Sequence, residues 1–449
     1  MGELLMQQCY FDSNPEHLPD HTIDCYPVQI YGTHPYDPDK SSLASRSLIN
    51  KIRDLGVNID SKSLDLLTIA TAVTSAETFV LRKDAPDAWS RQLELFIPVY
   101  DKKLWQGVAE ELASVLGYLT GDNWKLNFET TQLELPQPKT SKKAKDKAKS
   151  LVGLNCVSLF SGGLDSAVGA IDMINGSNVD KPLLISHSYK GDGKKQKDIK
   201  SLLRGKFSEF SFDISPKIIK SRRGKTDVSM RGRSFNFIAL AVLGVNALRS
   251  ANNDDSISRI VIPENGYISL NPPLTRRRIG SHSTRTTHPF YISRLELLLN
   301  KVGFNISLEN PYQMKTKGEM VSECVDKVAI KKAVVLSVSC SNWHRKHIQC
   351  GRCVPCLIRR AAVFKAGFTK DAPYDAENLG IVKKYKGERD DLLAVSMAIN
   401  KYRKTEDFKA WIRQSGSLPQ DRQLRDQLAD VAKRGLLEVE QFLKSRKVK

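Results

Sequence analysis

The sequence predicts an α/β protein whose central unit is a doubly wound parallel sheet, preceded by an α+β domain and followed by helices. From residue 151 onward, short apolar runs typical of buried strands alternate with stretches whose apolar residues recur at helical spacing. The first of these runs, at 157–160, ends in a Ser-Gly-Gly turn that leads directly into a helical pattern. Four cysteines clustered between 340 and 356 add a predicted metal site to the same unit.

Length and charge limit the class of protein. The 449 residues are enough for two or three domains. The formal charge of +19, from 69 Lys and Arg against 50 Asp and Glu, favours polyanionic partners or substrates. No run approaches the roughly 18 apolar residues of a membrane span, and the first residues carry no basic region typical of a signal peptide. We therefore expect a cytoplasmic protein without disulfides and without a membrane partner.

The first 135 residues predict a separate α+β domain. A buried helix is indicated over 64–80, a half-buried strand over 92–99, an amphipathic helix over 105–118 and a second strand from 125. This part contains no catalytic constellation, so its expected role is scaffold or partner recognition. Residues 136–150, with two prolines and a run of lysines, predict a solvated linker.

Residues 151–375 predict the catalytic domain, and 376–449 predict a helical extension. Parallel strands are indicated at 183–187, 210–214 and 260–263, with a helix at 198–206 and an apolar, buried helix around 238–244. In the extension, 388–403 and 419–445 are amphipathic helical patterns, typical of core or partner packing.

The turn at 161–166, with the sequence Ser-Gly-Gly-Leu-Asp-Ser, has residue types that bind an anion. A strand–turn–helix unit points several backbone N–H groups and the positive end of a helix at one spot. Gly162 and Gly163 lack Cβ atoms, so an anion can approach the backbone closely, and Ser161 and Ser166 add hydroxyl donors. No lysine follows the glycines, which excludes a Walker A loop. A glycine turn in some other α/β unit is the alternative interpretation.

Two arginine-rich segments are further candidates for phosphate contacts. Arg231 and Arg233 precede the apolar helix, where charge-assisted hydrogen bonds to phosphate would be useful. The segment 276–289 is dense in Arg, Ser, Thr and His, a composition that suits a polyanionic ligand and no protein core. Solvated arginines and a disordered surface loop are the alternative interpretations.

The four clustered cysteines have the spacing C-x9-C-x2-C-x2-C. Four thiolates complete a closed tetrahedral set, which favours structural Zn²⁺ over a catalytic ion. An iron–sulfur cluster uses the same ligand types and remains an alternative. His344 and His347 lie within the loop and are possible replacement ligands. The predicted metal ligands are Cys340, Cys350, Cys353 and Cys356.

The turn resembles the pyrophosphate loop, or PP-loop, of the ATP-pyrophosphatase superfamily, whose members transfer AMP from ATP to a carboxylate or carbonyl oxygen. The resemblance implies that Asp165 orders the loop or helps to place Mg²⁺. It also implies that His187, at the end of the second strand, lies near adenine, although capping of that strand is an equal alternative. The residues that the resemblance assigns to ATP are Phe160, Ser161, Gly162, Gly163, Leu164, Asp165, Ser166 and His187.

The PP-loop and the cysteine set together resemble QueC, the 7-cyano-7-deazaguanine synthase family, over roughly residues 155–375. Arg233-Ser234, Lys317-Gly318-Glu319 and the run from Cys350 to Arg359 carry the rest of the similarity. QueC enzymes adenylate 7-carboxy-7-deazaguanine, add ammonia and dehydrate the amide to a nitrile with a second ATP. The resemblance implies ATP, Mg²⁺ and Zn²⁺ as cofactors. The catalytic residues that it implies are Ser161, Asp165, Ser166, Arg233 and Lys317.

The chain departs from that family after its fourth strand, where Glu264-Asn265-Gly266 and the arginine-rich loop replace an acidic segment. The added N- and C-terminal parts resemble the longer QueC-like proteins of bacterial anti-phage systems, the QatC family of the Qat system. That resemblance implies an antiviral enzyme that activates a 7-deazaguanine-type carboxylate. The acceptor is either ammonia or the amine of a partner protein from the same defence system.

Two alternatives stand beside this hypothesis. The first is an ordinary 7-cyano-7-deazaguanine synthase of queuosine biosynthesis, against which the added domains argue. The second is a PP-loop enzyme that modifies nucleic acid, which the net charge and the arginine-rich loop favour.

Overall fold

The computed structural model describes residues 6–176, 180–187, 192–227, 231–279, 285–343, 347–382, 390–402 and 405–448. It shows an α/β protein with two parallel five-stranded sheets followed by helices at the C-terminal end. Part of the arginine-rich loop, residues 280–284, and the possible ligand His344 lie outside the described residues.

The first sheet is wholly parallel, with the order β3-β2-β1-β4-β5. Its strands are β1 Gln7–Asp12, β2 Cys25–Ile30, β3 Ser42–Ala44, β4 Gln92–Val99 and β5 Asn123–Thr130. The helices of this part are α1 Leu48–Arg53, α2 Ser61–Phe79, α3 Lys102–Gln106 and α4 Ala109–Thr120. The predicted α+β class is therefore wrong for this part. Helices α1 and α2 connect β3 to β4, and α3 and α4 connect β4 to β5, which are the crossovers that parallel pairing requires.

Helix α2 joins the first sheet to the rest of the molecule. Of its 19 residues, 16 are buried, because it packs against β4 on one side and against a later helix, residues 233–252, on the other. A helix enclosed on both sides in this way has almost no solvent face, although it contains polar residues such as Asp65 and Glu77. One continuous cluster of buried side chains consequently runs from Cys9 in the first sheet to Leu308 in the second.

The predicted linker contains a helix, α5 Lys142–Leu151, which the sequence did not indicate. Ser141 begins this helix by accepting a hydrogen bond from the backbone N–H of Ala144 at 3.3 Å. Ala144 and Leu151 are buried, whereas most of the lysines face solvent. These two apolar residues, at helical spacing, pack the helix against the rest of the protein. The lysine-rich composition of the segment obscured this pattern in the sequence.

The second sheet is also wholly parallel, with the order β10-β9-β6-β7-β8. Its strands are β6 Cys156–Leu159, β7 Pro182–His187, β8 Ser208–Phe212, β9 Arg259–Val261 and β10 Ser307–Glu309. The chain runs outward from β6 to β8 and then returns to β9 on the other side. The carboxyl ends of β6 and β9 therefore flank the point where the strand order reverses, which is where open α/β sheets bind ligands.

Helices cover both faces of this sheet. They are α6 Leu164–Asn175, α7 Asp192–Lys200, α8 Arg233–Asn252, α9 Gly266–Leu270, α10 Pro289–Lys301, α11 Lys317–Glu323 and α12 Lys327–Leu336. Helix α8 contacts β6, β7 and β9 on one face, while α6, α11 and α12 form a second apolar cluster on the other. Helix α7, Asp192–Lys200, begins and ends six residues earlier than the helix predicted over 198–206.

By length and composition alone, helix α8 could span a membrane, which corrects the expectation that no segment approaches this character. In the structure, 72% of its most apolar stretch is buried inside the protein. Its apolar composition is explained by its position between α2 and the second sheet.

The C-terminal part is helical, as predicted. It comprises α13 Val354–Lys365, α14 Leu379–Val382, α15 Asp390–Lys401, α16 Thr405–Arg413 and α17 Arg422–Ser445. These helices and α9 share a separate apolar cluster, in which the Tyr402 and Trp411 rings stack at 4.6 Å. Helix α17 packs on α9, α11, α13 and α16.

Candidate active site and cysteine cluster

The Ser-Gly-Gly turn connects β6 to α6 at the carboxyl edge of the second sheet. Gly162 has φ +82°, a left-handed conformation that favours glycine. Gly163 is the N-cap of α6, so no side chain caps the first turn of this 12-residue helix. The first N–H groups of a helix have no intrahelical partner. The turn therefore has the local geometry predicted for an anion site.

The two serines of the turn face each other. Their Oγ atoms are 3.3 Å apart, Gly163 N–H donates to Ser161 Oγ at 3.3 Å, and Ser166 Oγ donates to the Gly163 carbonyl at 3.0 Å. Ser161 is exposed and Ser166 is buried. Phe160 and Leu164, both assigned to ATP by the resemblance, are fully buried and do not line the cavity beside the turn.

A cavity of about 600 Å³ opens beside the turn. This volume lies within the range of about 300–1,000 Å³ typical of small-molecule sites. Its polar and charged lining includes Ser161, Gly162, Gly163, Lys195 and Arg233. The more apolar walls include Ile268, Pro272, Pro273, Leu274, Trp343, Val354 and Pro355. An anionic group at the turn and a planar apolar ring against the apolar residues would both find matching surfaces.

Asp165 lies just beneath the turn in a set of internal contacts. Its Oδ1 is 3.0 Å from Lys317 Nζ, at the start of α11, and its Oδ2 accepts a hydrogen bond from Asn265 Nδ2 at 2.8 Å. Asp165 and Lys317 are both buried. Burial alone would raise the pKa of Asp165, but the Lys317 ammonium and hydrogen bonds from Glu264 and Asn265 outweigh it and hold this pKa below its usual value.

This geometry bears on the two roles expected for Asp165. Oδ2 accepts a hydrogen bond, Oδ1 lies in the ion pair with Lys317 but makes no hydrogen bond, and the side chain is absent from the walls of the cavity. The arrangement supports the role of ordering the turn more than that of binding Mg²⁺. Lys317, a predicted catalytic residue, is likewise buried and does not line the cavity, and it contacts Asp165 beneath the turn.

Glu264 is a member of the site that sequence analysis did not assign. The same Asn265 Nδ2 that binds Asp165 also donates to Glu264 Oε1 at 2.9 Å, so one amide holds two carboxyl groups. Burial, followed by repulsion from Asp165, raises the pKa of Glu264 well above its usual value. The surroundings therefore favour the protonated form of Glu264 and the ionised form of Asp165. The position of Glu264, three residues after the end of β9 and at the reversal of strand order, was the available signal.

His187 and Arg233 were both predicted near the nucleotide. Arg233 lines the cavity, and one of its NH2 groups donates to the His187 carbonyl at 3.4 Å. The His187 side chain is fully buried against Phe237, is 3.7 Å from Asp213 and does not line the cavity. Burial, with repulsion from Arg233 and Lys51, lowers the pKa of His187 to about 3, so this imidazole is neutral at pH 7.

The other candidate arginines contact partners within the protein. Arg231 is buried, with its guanidinium 4.4 Å from the Trp89 ring centroid in the first part of the chain. Arg278 forms an ion pair with Asp391 at the start of α15, and both side chains line the cavity. Arg285 donates to the Tyr118 carbonyl at 2.9 Å.

The four predicted cysteine ligands form one buried cluster. All four sulfur atoms lie within 4.8 Å of one another, and the Cys340–Cys353 and Cys350–Cys356 Sγ pairs are each 3.9 Å apart. A tetrahedral ion with metal–sulfur bonds of about 2.3 Å requires sulfurs about 3.8 Å apart. The cluster is thus suited to a single metal ion such as zinc.

Local backbone geometry supports the cluster. Gly351, with φ +75°, makes the turn between two ligands, and a Cβ there would lie 2.6 Å from the Ala376 carbonyl oxygen. The N–H groups of Asn342 and Cys350 donate to Cys340 Sγ at 3.3 and 3.2 Å, which favours a thiolate. His347 is not one of the four grouped ligands and instead contacts the Trp343 ring.

The cluster and the turn are joined directly. Cys340 and Cys353 line the same cavity as the Ser-Gly-Gly turn. The backbone N–H of Val338, two residues before Cys340, donates to the Gly162 carbonyl at 3.3 Å. A metal ion in the cluster would therefore stabilise one wall of the cavity.

Comparison with known proteins adds no relative to this picture. No protein-family model matches the chain. A search of curated proteins also finds no match.

Proposed function

We propose that the protein is an ATP-dependent enzyme that adenylates a carboxylate and passes it to an amine. The observation that carries this proposal is the uncapped Ser-Gly-Gly turn, which opens into a cavity with Lys195 and Arg233 beside it. The turn supplies N–H and hydroxyl donors, and the two cations complement the negative charge of a polyphosphate.

In the proposed reaction, a substrate carboxylate oxygen attacks the α-phosphorus of ATP. The bond between the α-phosphorus and its bridging oxygen breaks, and pyrophosphate leaves with the electron pair. The amine then attacks the acyl carbon, AMP leaves, and the nitrogen loses a proton. Donors at Ser161, Gly163 and Ser166 would stabilise the charge that develops on pyrophosphate. Mg²⁺ would accompany ATP and shield its phosphates.

The resemblance to QueC extends the proposal to the substrate, a carboxylate of the 7-carboxy-7-deazaguanine type. The apolar wall with Trp343 is suited to a planar heterocycle. The resemblance to the longer defence proteins adds a cytoplasmic role in anti-phage defence with a protein partner. Zinc in the cysteine cluster completes the proposal as a structural ion.

A nucleic-acid substrate receives less support from the described residues. Arg277 and Arg278, which suggested a polyanion surface, face Asp390 and Asp391 of α15. Part of the basic charge is thus neutralised within the protein.

The identity of the nucleotide products tests the proposal. Purified protein is incubated with MgATP, 7-carboxy-7-deazaguanine and ammonium, and the nucleotides are separated by chromatography. AMP and pyrophosphate in equal amounts, formed only when the carboxylate is present, are expected. ADP and phosphate as the products would overturn the proposal.

A further inference from the structure

The C-terminal helix α17 packs against both segments that supply partners to Asp165. Gly435 of α17 lies against the ring of Tyr267, where a Cβ would be 2.6 Å from the ring. Tyr267 follows Asn265 by two residues, and Val431 of α17 is close to Gly266 between them. The Asn265 side of the Asp165 site is therefore backed by α17.

The Lys317 side is held by a single carboxylate of the same helix. Glu438 is 6% exposed, and its Oε1 accepts a hydrogen bond from Thr316 Oγ1. Its Oε2 accepts from the backbone N–H of Gly318 at 3.2 Å. The two contacts lie on either side of Lys317 in the chain. A Cβ at Gly318 would be 2.7 Å from Glu438, so glycine permits this close approach.

Arg434, one turn earlier on α17, holds the same segment. Its guanidinium forms an ion pair with Glu319 and donates to the Met314 carbonyl at 2.9 Å. Glu319 in turn accepts from Thr316 N–H at 2.9 Å, in a capping box that begins α11. Two charged residues of α17 thus fix the backbone on both sides of Lys317.

Burial of a carboxylate between two helices is unfavourable in free energy, because the charged group loses its hydration. Burial raises the pKa of Glu438, and Lys365, whose Nζ is 2.6 Å from Oε1, is its cationic partner. Replacement of buried ion pairs by apolar side chains is often neutral or stabilising, so packing alone does not explain Glu438.

We propose that Glu438 is a positioning residue: by holding Thr316 and Gly318, it directs Lys317 Nζ onto Asp165 and thereby sets the Ser-Gly-Gly turn. The C-terminal helical extension then contributes to the geometry of the site in the catalytic domain. The contacts support the inference that Glu438 positions Lys317. The expected effect on ATP binding rests on the proposed function.

The test combines a structural readout with a binding readout. Glu438→Gln keeps the shape of the side chain, but its amide nitrogen must face either Lys365 Nζ or the Gly318 N–H, both of which are donors, so the variant should fold and lose one of these two contacts. In crystals of this variant, Lys317 Nζ should leave its position 3.0 Å from Asp165 Oδ1. Gln441→Ala, on the exposed side of α17, is the matched control and should leave this contact intact.

Calorimetric titration with MgATP supplies the second readout. Glu438→Gln should raise the Kd of ATP by between about 2-fold and 30-fold. The effect should be less than additive with that of Lys317→Arg, because both act through the same contact. Additive effects, or a lower melting temperature with an unchanged Kd and an unmoved Lys317, would overturn the proposal. If the wild type binds no ATP, the proposed function fails, and the crystallographic distance still decides the role of Glu438.

Discussion

Lys317 Nζ lies 3.0 Å from Asp165 Oδ1, and this contact joins the first turn of α6 to the start of α11 beneath the Ser-Gly-Gly turn. Both side chains are buried, so the pair is shielded from the water that weakens surface ion pairs. The contact links the predicted anion site to a segment 152 residues later in the chain.

Removal of one partner should be more harmful than removal of both. Lys317→Met leaves the Asp165 carboxylate buried without its cation and should lower the free energy of unfolding by about 3–5 kcal/mol. The double variant Asp165→Asn/Lys317→Met should lose less than the sum of the single variants. Urea unfolding of the four proteins measures the coupling, and strictly additive losses would contradict a direct pair.

His187 predicts a loss of stability in acid. Its pKa is about 3 in the folded protein, against an ordinary value of 6.5. Between these values the unfolded chain binds a proton that the folded protein does not, so stability falls as pH falls through this window. At full extent, this difference in the pKa of His187 lowers the free energy of unfolding by about 4–5 kcal/mol.

Thermal unfolding between pH 7 and pH 4 measures this effect. His187→Gln should show a shallower fall in Tm than the wild type, whereas His17→Gln, at an exposed position, should follow the wild-type curve. Parallel curves for the wild type and His187→Gln would show that the buried histidine does not control the acid response.

The cysteine cluster predicts one tightly bound zinc ion per chain. Cys353→Ser should abolish binding and lower Tm, because a structural ion contributes folding energy. Cys25→Ser, outside the cluster, should retain the metal. Elemental analysis by mass spectrometry gives the stoichiometry. Folded wild-type protein that contains neither zinc nor iron would refute the prediction.

The apolar core shared by the two sheets changes the expected effect of deleting residues 1–135. The sequence suggested that residues 1–135 are a separate domain with a scaffold or partner role, which would imply that the rest of the chain folds without it. In the structure, α2 buries α8, so deletion of 1–135 exposes an apolar face and should yield insoluble or unfolded protein. Circular dichroism and sedimentation decide the matter. A folded, monomeric 136–449 fragment would favour the original expectation.

The sequence predicted the features that are local in the chain and missed those that depend on distant contacts. The turn at 161–166 and the cysteines at 340–356 each lie within a short stretch of sequence, so residue type and spacing indicate them. Asn265 is 100 residues from Asp165, and Glu438 is farther still from it. Periodicity places such residues on helices and strands without indicating which of them meet.

The relative direction of the strands is a second feature that the sequence did not predict for the first sheet. The apolar alternation of β4 predicted its bounds, Gln92–Val99, but alternation is the same in parallel and antiparallel sheets. The parallel order of the first sheet, which matches that of the second, follows only from the pairing.

The central claim is tested most directly by the ATP–pyrophosphate exchange reaction. Labelled pyrophosphate is supplied with MgATP and 7-carboxy-7-deazaguanine, and the appearance of labelled ATP is measured. The wild type should catalyse exchange only with the carboxylate present. Ser161→Ala, which removes one donor of the turn, should slow exchange by roughly 10²–10³-fold without unfolding the protein. Ser201→Ala, at an exposed site outside the turn, should exchange at the wild-type rate. No exchange by folded wild-type protein, or full exchange by Ser161→Ala, would contradict adenylation at this turn.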